Sequence, residues 1–224
     1  MLRLTVFAAC LLASAAAVRA ADEHELETIN EVPKGLSPAI EKLLNSEGFR
    51  ISGEKGALAD LWLVKDLAVE PGFKSSLSKL YAFKPGQLIG AIRIADGADY
   101  TDFKGQQMKG GVYTLRYGLQ PMDGNHAGTS ETSDFLLALP AAIDTKADAI
   151  ATKEELSEES AKAAGSTHPA IFSLVDPKRA SRKAKLEVDD FTEHTILSFT
   201  GEAKEGDKSV KLKVRLVVVG QSEG

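Results

Sequence analysis

The chain reads as a mainly β protein: an antiparallel sandwich of jelly-roll or Ig-like type, or a partly closed barrel, with one or two short peripheral helices. Three observations predict this. Short apolar or alternating runs recur along 224 residues, separated by turns rich in Gly, Pro and Asp. Regular alternation of strand and helix patterns, expected of a doubly wound α/β fold, is absent. No strand is followed by the Gly-rich turn that cradles phosphate.

The elements follow in order. Residues 1–20 have a signal-peptide pattern: Arg3, an apolar run from Leu4 to Ala17, and small residues at Val18 and Ala20 for cleavage after Ala20. The apolar run is too short to span roughly 30 Å of hydrocarbon, so a periplasmic or secreted location is expected. Cys10 is the single cysteine and would leave with this leader. The remaining chain then has no disulfide and must depend on its core. The leader takes two arginines and no acids, moving the net charge from −5 to −7, which disfavours nucleic-acid partners.

Residues 21–35 are acidic and weakly patterned and are expected to be a flexible lead-in. Residues 36–224 are expected to form one β-rich domain. Leu36 to Gly48 reads as a short helix, with Ser37 as cap and Pro38 in the first turn. Strands are expected at 49–52, 57–67, 88–95, 112–119, 134–139, 170–175, 184–188, 195–200 and 209–219. The last is the clearest: Val210, Leu212, Val214 and Leu216 alternate with Lys211, Lys213 and Arg215, giving one buried and one wet face. A capping box, Thr152 to Glu155, opens a mostly charged helical insertion near 152–164.

Between Asp102 and Leu139 unusual side chains are concentrated. Lys109-Gly110-Gly111 is expected to turn a hairpin from a strand at 102–107 into 112–119. The loop that follows carries Asp123, Asn125, His126, Glu131 and Asp134. Its spacing partly overlays a calcium loop, with Asp123 first, Asn125 third, Glu131 ninth and Asp134 twelfth. Ala127 supplies no oxygen at the fifth position, and Asp134 is shorter than the customary glutamate. Calcium or another divalent metal is therefore one candidate cofactor. Asx-turn chemistry explains the same residues without a ligand and is the preferred reading.

Other candidates are weaker. His126, His168 and His194 could gather into a metal or catalytic cluster, but their spacing does not show it. No G-x-S-x-G elbow is present. Glu187, Asp189 and Asp190 read as a solvated strand end, and Lys178, Arg179, Arg182 and Lys183 as a basic turn able to meet a phosphate or anionic glycan. Trp62, Tyr81, Tyr113 and Tyr117 could stack a sugar only if exposed.

The run YTDFKGQQMKGGVYTLRYGLQPMDGNHAG, Tyr100 to Gly128, resembles a segment of uncharacterised secreted bacterial proteins with a G-x-Y-T-L-R-Y and P-x-D-G-N-H pattern. Its smaller turn-G-x-Y-T-L element is similar to DUF2911-type β domains. The resemblance implies a β fold and an exported location and brings no activity. Taken together, the sequence favours a non-enzymatic binding or structural accessory module, with a small molecule, glycan or protein as partner. The alternatives are a metal-dependent hydrolase or Ca-binding domain using 121–134, and a carbohydrate-binding module.

Overall fold

The computed structural model describes residues 23–120 and 132–222. It is mainly β and antiparallel, with ten strands and two α-helices among the described residues. Seven strands form one meander: β1 (Glu25–Ile29), β2 (Gly48–Gly53), β3 (Gly56–Leu63), β4 (Leu88–Ile94), β5 (Gly111–Leu119), β6 (Asp134–Pro140) and β7 (Ala170–Ser173). A second sheet, in the order β10-β9-β8, contains β8 (Lys185–Val188), β9 (Thr195–Glu205) and β10 (Lys208–Val219). The two sheets touch along one edge through a Leu174–Leu216 bridge and a Val175 N–H donating to the Arg215 carbonyl at 3.0 Å.

The core lies between the sheets. Ile51, Leu61, Ile92, Leu115 and Leu136 from the large sheet meet Leu197, Phe199, Leu212, Val214 and Leu216 from the small one. Phe49 and Phe199 cross this layer with ring centroids 5.0 Å apart. The alternation expected along β10 is realised in part: Leu212, Val214 and Leu216 are buried and Lys211 and Lys213 exposed, but Arg215, expected on the wet face, is buried, where it holds Glu187 at 3.2 Å. The long connection from β3 to β4 closes one end with Leu67, Tyr81 and Phe83.

The outer face of the large sheet carries two further apolar clusters. Helix α1 (Pro38–Glu41) presses Ile40, with Leu36 and Leu44 beside it, onto Trp62, Leu88 and Ala91. Helix α2 (Lys153–Ala164) lays Leu156 on Phe135, Leu137 and Leu139 of β6. The N-cap half of the expected capping box forms: the Thr152 hydroxyl accepts from the Glu155 N–H at 3.2 Å. Although half of α2 is charged, it buries Leu156, Ser160, Ala161 and Ala163, and Ser160 donates to the Ala170 carbonyl at 3.1 Å.

Three expectations are corrected. Part of the supposed flexible lead-in is β1, paired in register with β2 from Glu25–Ser52 to Ile29–Gly48. The first helix is shorter than Leu36 to Gly48; it ends at Glu41, and Gly48 already begins β2. Residues 102–107 are not a strand, and β5 pairs with β4 instead. The reason is Asp102, whose carboxylate accepts from the Lys104, Gln106 and Ile171 N–H groups and from the Gln106 side-chain amide. It folds its own segment into a turn clamped onto β7. Gly110 serves close approach, since a Cβ there would lie 2.6 Å from the Asp96 carboxylate and 2.8 Å from its Cα.

Candidate functional site

A cavity of about 360 Å³ lies between the outer face of β5–β7 and α2. Its floor is set by register. Gly118 pairs with Phe135, and Leu137 pairs with Ile171, so all four point to the same face. Gly118 leaves room that a side chain would take: a Cβ there would stand 2.5 Å from Leu137 Cδ1. The roof is Ile150 to Lys153 and the first turns of α2, with Leu156 and Ser157 facing in.

The roof is anchored by buried polar chemistry. Arg116 has no solvent exposure, and all five of its N–H donors are used. Nε and Nη2 reach the Asp144 carboxylate at 2.6 and 2.7 Å. Nη1 donates to the carbonyls of Gly86 and Asp148, both at 2.9 Å, and Nη2 also to Lys146 at 2.6 Å. Thr114 donates its hydroxyl to the same Asp144 carboxylate. One buried guanidinium thus fixes the connection from β6 to α2. Gly86 completes the anchor at φ +76°, with its carbonyl accepting from Ile150 N–H at 3.2 Å.

The mouth is basic. Among the described residues, Lys104, Lys153 and His168 are the titratable side chains that line the cavity, with no Asp or Glu beside them. All three are exposed, and neither lysine has an ion-pair partner among the described residues. Lys104 is held by its backbone N–H, which donates to Asp102 at 3.0 Å. Burial pushes the Asp102 carboxyl above its ordinary range, against its four hydrogen bonds, which favour the charged form. Ser157 and Ser222 line the cavity without a hydrogen-bonded base among the described residues.

The residues singled out in the sequence fall elsewhere. Asp123, Asn125, His126 and Glu131 lie outside the described residues. Asp134 is fully buried on the core side of β6. Its carboxylate accepts from the Leu80 and Tyr81 N–H groups at 2.9 and 3.0 Å and from the Tyr117 hydroxyl at 2.5 Å. Burial, and then this carboxylate, hold the Tyr117 hydroxyl far above its ordinary pKa. His194 is nearly buried, with Nε2 2.9 Å from the Gln221 carbonyl and its ring edge-on to Phe103. His168 stands at the cavity mouth. Among the described residues no three His, Cys, Asp or Glu side chains gather as a metal site.

Trp62, Tyr81, Tyr113 and Tyr117 are all buried and present no platform for a sugar. Trp62 donates Nε1 to the Glu31 carbonyl at 2.6 Å, beneath the Arg93 guanidinium. The cavity was not legible as a site. Phe103, Gly118, Phe135, Leu137, Ile150, Leu156 and Ile171 each read as ordinary apolar or turn residues, and nothing in one dimension tells a filled core from a hollow one.

The class these features define is a two-sheet antiparallel β protein with a ligand-sized apolar cavity under a surface helix. No family model, no curated protein and no solved structure matches the chain.

Proposed function

We propose that the protein is an exported binding module that takes a small, largely apolar molecule with one anionic end. The observation that carries this is the cavity itself: a largely apolar floor and roof, about 360 Å³ of space, and Lys104, Lys153 and His168 at the mouth with no lining carboxylate among the described residues. Ligand sites commonly pair such an apolar wall with a few polar groups that orient the ligand. The apolar body would rest on Phe135, Leu137 and Leu156, and the anionic end would face the two lysines. The signal-like pattern of residues 1–20 supports export.

Titration of the purified full chain with 1-anilinonaphthalene-8-sulfonate tests the reading, because that probe joins apolar rings to a sulfonate. Saturable one-site fluorescence enhancement is expected. Ser157→Phe, which fills the cavity from α2, should weaken it at least tenfold without loss of the folded state. Unchanged binding in that variant, or no saturable binding in the parent protein, would overturn the reading.

A further inference from the structure

The outer face of the small sheet concentrates positive charge on an acidic chain. Register places Lys213 opposite Thr200, Arg215 and Lys185 opposite Ser198, and Lys211 opposite Glu202. Directly paired residues share a face, so these side chains point away from the core with Ser198 and Thr200. The basic turn 178–183 is fastened to that same face. The Ser181 N–H donates to the Ser198 hydroxyl at 2.9 Å, and the Thr200 hydroxyl donates to the Ser181 carbonyl at 2.7 Å. Lys178, Arg179, Arg182 and Lys183 therefore join Lys185, Lys211, Lys213 and Arg215.

The carboxylates here are already engaged. Asp176 accepts from the Lys178 N–H. Glu187 holds Arg215 at 3.2 Å and Lys185 at 3.2 Å, and Glu202 lies 3.9 Å from Lys211. Lys178, Arg179, Arg182, Lys183 and Lys213 are all exposed and have no ion-pair partner among the described residues. Five uncompensated cations on a chain of net charge −5 is a segregated field, not a balanced surface.

We propose that this face is an attachment surface for an anionic lipid bilayer. The occupant is chosen by shape and chemistry. The face is a three-stranded sheet with a turn laid across it, and none of its named outward side chains is aromatic. Proteins that hold single-stranded polyanions combine a groove with aromatic stacking platforms. A sheet of cations matches a plane of lipid phosphates, where each Lys or Arg near the surface is worth about a fivefold gain in partitioning. Attachment is peripheral, since no described helix is long and apolar enough to cross a membrane.

Co-sedimentation of the full chain with phosphatidylglycerol–phosphatidylcholine vesicles tests this against pure phosphatidylcholine. Binding is expected only with the anionic lipid, falling steeply as salt is raised. Arg179→Glu, Arg182→Glu, Lys183→Glu and Lys213→Glu combined should reduce it more than 100-fold. Each single reversal should reduce it several-fold, which keeps the test informative if the combined variant unfolds. Lys55→Glu, in the exposed β2–β3 turn, makes the same net-charge change elsewhere and should leave binding nearly unchanged. Equal binding to neutral vesicles, retention in the reversed variants, or binding to heparin or single-stranded DNA but not to vesicles would overturn the proposal.

Discussion

Arg116 and Asp144 form a doubly hydrogen-bonded ion pair, at 2.6 and 2.7 Å, with the guanidinium wholly removed from solvent. Breaking a buried pair by removing one partner strands a charge, so Arg116→Leu should lower stability by about 3–5 kcal/mol. Replacing both partners with apolar residues often restores or improves stability. Here it should not. Arg116 also supplies donors to the carbonyls of Gly86, Lys146 and Asp148, and each of these hydrogen bonds, absent from the double variant, contributes about 0.5–1.5 kcal/mol. Urea denaturation of the single and double variants checks this; recovery of parental stability in the double variant would show that the ion pair alone matters.

Tyr117 and Asp134 predict a second outcome. The Tyr117 hydroxyl is one of three donors to a carboxylate with no solvent contact. Hydrogen bonds to charged groups contribute about 1.5–3 kcal/mol, so Tyr117→Phe should destabilise by that amount. Asp134→Ala should cost more, because it orphans the Leu80 and Tyr81 N–H groups as well. Since protein donors already engage both oxygens of this carboxylate, the loss in Asp134→Ala should be the same with and without EDTA. A loss that disappears in EDTA would mean that Asp134 acts through a cation, since a metal that binds only the native state stabilises it.

Glu187 should give the protein an acid-side dependence. Burial raises its pKa, but hydrogen bonds from Lys185 and Ser198 and the charge of Arg215 outweigh burial and lower it below the ordinary value of 4.5. A lowered folded-state pKa means that the unfolded chain binds more protons in this range. The stabilisation is therefore present above about pH 4.5 and lost as pH falls through the lowered value. Asp102 runs the other way: burial raises its pKa above 3.8, so its contribution is present at low pH and lost as pH rises through the raised value. Glu187→Gln should flatten the fall in melting temperature below about pH 4.5; an unchanged slope would refute the assignment.

The strands that face both core and water were legible because their periodicity is physical: Lys211 and Lys213 stay wet while Leu212 and Val214 pack. β1 was hidden because an edge strand can be acidic without penalty, and Glu25 and Glu27 mask Leu26, which packs on the core. The turn at 102–107 was misread because its one breaker, Gly105 at φ +77°, stands alone among strand-compatible residues, while the controlling contact, from Ile171 N–H to Asp102, spans 69 residues. At the first position of β6, Asp134 stands out for its polar chemistry. That chemistry serves Tyr117 and Tyr81, whose approach depends on the β3–β4 connection. The cavity combines distant segments whose individual residues announce nothing.

Gly86 joins the anchor to the cavity, and its substitution should separate folding from binding. At φ +76° an L side chain is strained, and a Cβ would lie 2.0 Å from the Ile150 carbonyl oxygen, which is backbone and cannot rotate aside. Strain of this kind costs about 1–3 kcal/mol even without a clash. Gly86→Ala should therefore destabilise by at least that much and push Ile150 away from its 3.2 Å hydrogen bond. Since Ile150, Ala151 and Thr152 form the roof, affinity for 1-anilinonaphthalene-8-sulfonate should fall at temperatures where the variant remains folded by circular dichroism. Gly72→Ala provides the control. Its φ is also positive, at +66°, but no atom lies within 4 Å of the added Cβ, and it lines no part of this cavity. It should lose stability from strain alone and bind the probe as the parent does; equal loss of probe binding in both variants would place the probe outside the cavity.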